Sequence, residues 1–107
     1  MKKGMIQVTV LYPNSKGKKF DLDYYMKKHV ALVTNLLGDA LKGASIESGL
    51  GGAAPGSPAP FVVSGRMFFD SLESFQQAFG PNADKIMADI PNFTDIEAII
   101  QIGEVIA

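Results

Sequence analysis

The sequence holds no cysteine, no tryptophan and a single histidine, His29, in 107 residues. Without thiols there are no disulfides, no thiolate nucleophile, no iron–sulfur cluster and no Cys-type zinc site. One histidine excludes a His-rich metal cluster within a subunit, so no metal is expected. Apolar runs last only a few residues, well short of the roughly 20 needed to cross a bilayer. Met1-Lys2-Lys3-Gly4 begins basic but leads into alternation, without the continuous apolar stretch of a signal peptide. A cytoplasmic protein with no membrane partner is expected. An excess of one charge is missing too: 10 Lys+Arg stand against 11 Asp+Glu, for a formal net charge of −1. The charge is nevertheless uneven. Residues 1–42 carry eight Lys against three Asp, and residues 43–107 carry Arg66 and Lys85 against eight acids. The lysines are scattered and read as solvated surface, so no nucleic-acid partner is expected.

What is present suits one folded unit. Hydrophobic residues make up 47% and charged residues 20%, which is ordinary for a globular protein and too apolar for a disordered one. The length matches the common domain size of about 100–150 residues, and residues 1–107 are read as a single domain.

Residues 5–12 alternate, with Ile6, Val8, Val10 and Tyr12 on one face and Gln7 and Thr9 on the other, the pattern of a strand. Pro13 to Gly17 are turn formers. Asp21 is a suitable N-cap for a helix ending at Gly38. At about 100° per residue, Leu22, Tyr25, Met26, His29, Val33, Leu36 and Leu37 share its buried arc. Tyr24, Lys27, Lys28, Ala31 and Asn35 lie opposite. Residues 43–49 form a weaker strand around Ile46. The stretch from Leu50 to Pro60 is rich in Gly and Pro, but it lacks the Lys of a phosphate loop and precedes a strand. It reads as a hairpin connection or a lid. Phe61 to Phe69 is the third strand, with Phe61, Val63, Met67 and Phe69 on one face and Val62, Ser64, Arg66 and Phe68 on the other. Asp70-Ser71-Leu72-Glu73 fits a capping box, with Asp70 as cap and Glu73 reaching back. The helix it begins carries Leu72, Phe75 and Phe79. Gly80-Pro81 interrupts it, a further turn bears Ile86, Met87 and Ile90, and residues 96–106 supply the last strand.

The order βαββαβ predicts an α+β, ferredoxin-like plan: a four-stranded antiparallel sheet with two helices on one face. The other face would hold Gln7, Thr9, Ser64, Arg66 and Gln101 among Val62, Phe68, Ile99 and Val105. Such a face is too apolar to leave in water at roughly 25 cal/mol per Å², so a homodimer packed sheet to sheet is expected. RNA-recognition domains share the plan, but Gly65-Arg66-Met67-Phe68-Phe69 lacks their paired-aromatic pattern.

His29 alone has an ordinary pKa near neutrality. Aimed between helix and sheet, it would act as a general acid or base. Tyr25, one turn earlier, and Tyr12, at the end of the first strand, would orient it or hold a carbonyl or phenol oxygen. Arg66 offers an anion contact from the second sheet face, with an interface ion pair as its other reading. Asp21 reads as a cap, and Asp23 suits the helix dipole. A satisfied, partly buried structural histidine stays open beside the catalytic reading.

Leu11-Tyr12-Pro13 and the run Phe20-Asp21-Leu22-Asp23-Tyr24-Tyr25-Met26-Lys27-Lys28-His29-Val30-Ala31-Leu32 together resemble the signature of EthD-like proteins. Pro58-Ala59-Pro60-Phe61, Phe69-Asp70-Ser71, Phe75-Gln76-Gln77-Ala78-Phe79 and Ala88-Asp89-Ile90-Pro91-Asn92-Phe93-Thr94 extend the resemblance over nearly the whole chain. One departure is Ala31, where relatives often carry Pro. The resemblance implies a dimeric α+β barrel of two ferredoxin-like subunits, with a small-molecule pocket between sheet and helices. It also implies a catabolic role of the ethyl tert-butyl ether degradation type. The name-giving member is associated with a haem monooxygenase system, and wider relatives include cofactor-free monooxygenases, lactone isomerases, polyketide cyclases and dehydratases. The expectation is a cofactor-free enzyme acting on a small apolar or aromatic molecule. Its chemistry would be oxidoreductive or proton-transferring, with His29 and Tyr25 catalytic and Tyr12 and Arg66 binding substrate. A haem held by His29 finds no second motif in support. The other class of function is a non-catalytic ligand-binding or accessory dimer.

Overall fold

A computed structural model describes residues 2–107. Strand β1 (Ile6–Pro13) leads to a helical stretch made of α1 (Leu22–Tyr24), a π-helical turn (Tyr25–His29) and α2 (Val30–Leu37). Strands β2 (Gly43–Ser48) and β3 (Phe61–Phe69) follow, then α3 (Leu72–Phe79), α4 (Ala83–Asp89) and β4 (Ile99–Glu104). The sheet order is β2-β3-β1-β4, and every pairing is antiparallel. This is the expected ferredoxin-like plan. The Gly- and Pro-rich stretch joins β2 to β3 as a hairpin connection.

Cross-strand register sorts the side chains. Ile6, Val8, Val10 and Tyr12 stand opposite Phe69, Met67, Gly65 and Val63, and Val8 and Val10 also stand opposite Ile102 and Ile100. Because strand residues alternate faces, these all point to one side. Leu37 of α2 and Phe75 of α3 close over Ile6, Val8 and Phe69 on that side. The helical cover stops short of the sheet edge: Ile100 and Ile102 on β4 keep 49% and 48% of their surface exposed. The opposite face carries Gln7, Thr9, Leu11, Val62, Ser64, Arg66, Phe68, Ile99 and Gln101, as the alternation predicts.

Asp21 caps α1 through a bond from the Tyr24 N–H at 3.0 Å. Gly38 ends α2 at φ +56°, a region that glycine enters without a Cβ penalty. Two local readings are corrected. The cap of α3 is Ser71, not Asp70; its Oγ accepts the Ser74 N–H at 3.0 Å. Glu73 turns outward to Gln77 instead of back to the cap. Serine and aspartate are near-equivalent caps, so sequence alone does not separate neighbours.

The second correction concerns the first helix. Leu22 and Met26, placed on the buried arc, are 45% and 46% exposed, while Tyr24, placed opposite, is half-buried. The cause is the π turn, in which the Val30 N–H bonds to the Tyr25 carbonyl five residues back. One extra residue in a turn breaks the even 100° spacing, so the arc that fits α2 does not extend into α1.

Candidate functional site

The π turn brings Tyr25 and His29 onto the sheet as a stacked pair, with ring centroids 5.7 Å apart and planes at 21°. Such turns are frequent where a helix must aim side chains at a site. Tyr12 from β1 meets the Tyr25 ring edge-on at 5.9 Å. Phe20 and Phe93 complete an aromatic cluster, Phe20 lying 5.0 Å from Tyr12 and Phe93 4.6 Å from His29. Beneath Tyr25, the helix-side position of β3 is Gly65, where an added Cβ would sit 3.3 Å from the Tyr25 hydroxyl. The missing side chain makes room for that phenol. Burial pushes the pKa of both Tyr12 and Tyr25 upward, and the neighbouring Tyr25 adds to the effect on Tyr12. Both phenols therefore stay protonated at neutral pH and can donate a hydrogen bond.

His29 is buried, and its Nδ1 lies 2.9 Å from Asp89 Oδ2. Asp89 closes α4, where a proline-containing 3-10 turn (Ile90–Asn92) folds Asn92 back beside it. The other carboxylate oxygen accepts the Tyr24 hydroxyl at 2.7 Å and the Asn92 amide at 3.0 Å. Burial alone would raise the Asp89 pKa. The hydrogen bonds from Tyr24, Asn92 and His29, with the charge of His29, outweigh it and hold the carboxyl below its usual range. A helix C-terminus disfavours a carboxylate, so this acid is held by its partners, not by its place on the helix.

The chemistry of the pair follows from that ionisation. An ionised carboxylate only accepts, so His29 Nδ1 carries the proton and donates it to Asp89. In the neutral ring this leaves the lone pair on Nε2. Asp89 thereby sets the tautomer and orientation of His29 and leaves Nε2 as the acceptor that a general base needs.

Of the four residues singled out in the sequence, His29, Tyr25 and Tyr12 come together. Arg66 does not join them. It projects from the opposite sheet face and pairs with Glu47 of the neighbouring strand. Asp89, Asn92 and Tyr24 complete the site, and the sequence reading did not select them. Asp89 is 60 residues from His29, so no local spacing links them; the one trace was the Ala88–Thr94 motif. Tyr24 was hidden by the helical-wheel assumption that the π turn breaks.

Two concavities lie nearby. One, of about 310 Å³, is lined by residues from the 14–22 segment together with Ser48, Val62, Val63 and Ile96, and it reaches the aromatic cluster at Phe20. The other, of about 170 Å³, sits between the ends of β2 and β3 and their connection. Neither wall includes His29, Tyr25 or Tyr12.

Comparison with known proteins bears out the fold. The EthD domain model matches residues 17–97, a span that holds both the His29 helix and the Asp89 turn. An EthD-like protein from Ralstonia eutropha JMP134 is 40% identical; the match covers 99% of this chain and 96% of that one, with a TM-score of 0.91. A hydroxynitrile lyase from Passiflora edulis shares the fold at 15% identity, covering 97% of this chain and 95% of that one, TM-score 0.69. A dimeric ferredoxin-like protein of unknown function from Thermobifida fusca YX does so at 14% identity, covering 98% and 94%, TM-score 0.60. No curated protein matches. With the family model spanning most of the chain and one relative alike along its length, this chain belongs to the EthD family.

Proposed function

We propose that the chain is a cofactor-independent enzyme acting on a small apolar molecule, with His29 as general acid–base and Asp89 as its positioning partner. The observation that carries this reading is the 2.9 Å contact between His29 Nδ1 and a carboxylate that three donors keep ionised. In the step proposed, His29 Nε2 accepts a proton from a C–H or O–H of the substrate, whose electron pair stays on the substrate. The imidazolium, held by Asp89, later returns the proton to the product. In the proposed step the protonated phenol of Tyr25, with Tyr12 beside it, donates to a substrate oxygen that gains negative charge. Of the two chemistries expected from the resemblance, proton transfer is the one these residues supply. Two relatives of this fold give indirect support: one is called a hydroxynitrile lyase, and another is dimeric. We extend the proposal to a homodimer formed through the sheet face that bears Thr9, Leu11, Val62, Phe68 and Ile99.

The second reading, a ligand-binding or accessory protein with a structural histidine, is favoured by one observation. His29 is only 6% exposed, and its ring is flanked by Tyr25 and Phe93. In that case the Tyr24–Asp89–His29–Asn92 network serves to pin the first helix to the turn after α4.

The test is turnover of a panel of small carbonyl and phenolic compounds by the wild type, H29A and H29Q, with thermal unfolding of each. Proton-transfer catalysis predicts loss of turnover by about 10²-fold or more in both variants, with at least one still folded. A folded variant with unchanged turnover overturns it.

A further inference from the structure

We propose that the concavity beside Phe20 binds a small apolar molecule carrying one anionic group, with Lys18 as the contact for that group. The proposal rests on reading the chain as a small-molecule protein, and it does not require His29 to be catalytic. The volume of about 310 Å³ lies at the lower end of the range for small-ligand sites. Phe20, Leu22, Val63 and Ile96 give the wall its apolar surface, Ser48 stands at the rim, and Lys18 is the one charged residue of the lining. No carboxylate lines it.

The segment just before Phe20 is cationic. Lys16, Lys18 and Lys19 all lie in the exposed segment before Phe20. Asp21, Glu47, Asp95 and Glu97 adjoin lining residues in the chain without lining the space themselves, and two of them are engaged: Asp95 Oδ1 accepts the Lys19 N–H at 2.8 Å and Asp21 Oδ1 accepts the Tyr24 N–H at 3.0 Å. The Lys19 bond, with the charges of Lys18 and Lys19, holds the Asp95 carboxyl below the usual range.

The wall is also fixed in place. Phe20 bridges to Thr94, whose hydroxyl donates to the Lys19 carbonyl and accepts the Ile96 N–H at 3.0 Å. The Asp21 N–H bonds to the Phe93 carbonyl at 2.7 Å. Three hydrogen bonds therefore tie the lysine-bearing segment to the strand approach that carries Ile96, so little ordering is left for binding to impose. Behind Phe20 lies Tyr25, 5.1 Å away centroid to centroid, and behind Tyr25 lies His29. An apolar body in this concavity would rest on the outer ring of the same aromatic cluster.

The experiment is a titration of the full chain with benzoate and, separately, with the neutral benzyl alcohol, followed by amide NMR shifts. Benzoate should move Ser15, Phe20, Ser48 and Ile96 first. K18M should weaken benzoate about two- to fivefold, the range of a partly exposed ion pair, and leave benzyl alcohol unchanged. S48F and L22W, which fill the space from two walls, should each abolish the shifts, and the second remains informative if the first does not fold. Shifts centred elsewhere, an equal effect of K18M on both probes, or benzoate binding that survives in folded L22W overturns the proposal. H29A separates the two readings: benzoate should still bind to it when turnover is lost, and equally if the catalytic reading fails.

Discussion

The helix-side face of the sheet is two different interiors. Under α2 and α3, Ile6, Val8, Leu37, Phe69 and Phe75 form a cluster with no polar atom in its side chains, and Phe69 is fully enclosed. At the other end, Tyr12, Tyr25, Val63, Phe93 and Ile96 pack around phenols, with His29 against Phe93 and Gly65 where a larger residue would be usual. The first region uses regular helix and unbroken alternation. The second uses a π turn, a glycine in mid-strand and a partly buried ionised acid, each a departure from what packing alone favours. The contrast teaches that one end of the fold is packed with apolar side chains alone while the other gathers the phenols, the histidine and its carboxylate.

The comparison is open to experiment, beginning with the largest effect. F69A should lower stability by about 3–5 kcal/mol in denaturant unfolding, while the His29 ring signals in NMR stay near their wild-type positions. If those signals move as much as the unfolding midpoint, the two regions are one. D89N should cost less, about 1.5–3 kcal/mol for hydrogen bonds to a charged group, yet abolish the activity sought for His29 and change its tautomer. A variant with unaltered His29 nitrogen shifts would disprove the pairing.

A smaller, pH-resolved difference follows from the sign of the Asp89 shift. Its carboxyl titrates lower in the fold than in the unfolded chain. Its contribution is therefore complete above the unfolded value of about 4 and is lost as pH falls through the folded one. Wild-type stability should fall over that acid window more steeply than that of D89N; parallel curves would remove Asp89 from the account. Smallest is G65A, expected to change stability by less than about 1 kcal/mol. It should still displace the Tyr25 and His29 ring signals, because the new methyl meets the Tyr25 hydroxyl. Silent rings would show that Gly65 does not set the phenol's position.

Legibility in the sequence follows the same division. Alternation in residues 5–12 and 61–69 marked both central strands and their faces, since a two-residue period survives any register. Turn residues marked the ends, and the Asp21 cap was readable because its partner lies three residues away. The Ser71 cap was missed by one position, where two similar residues compete. His29, Tyr25 and Tyr12 stood out because few residues can do such chemistry. Arg66 was chosen by the same logic, but alternation had already placed it on the other face, and the structure gives it Glu47.

What the amino-acid order determined by itself was local: which segments extend, which coil, where each stops, and which side chains share a face. Backbone geometry repeats within a few residues, so a short window of sequence contains it. What the tertiary structure decided was the company each group keeps. Asp89 became the partner of His29 because the end of α4 folds back onto the first helix, and the π turn widened where Tyr24 and Tyr25 had to meet Asp89 and the sheet together. Such contacts depend on the closing of a 60-residue loop, and that distance in sequence leaves no periodicity to read.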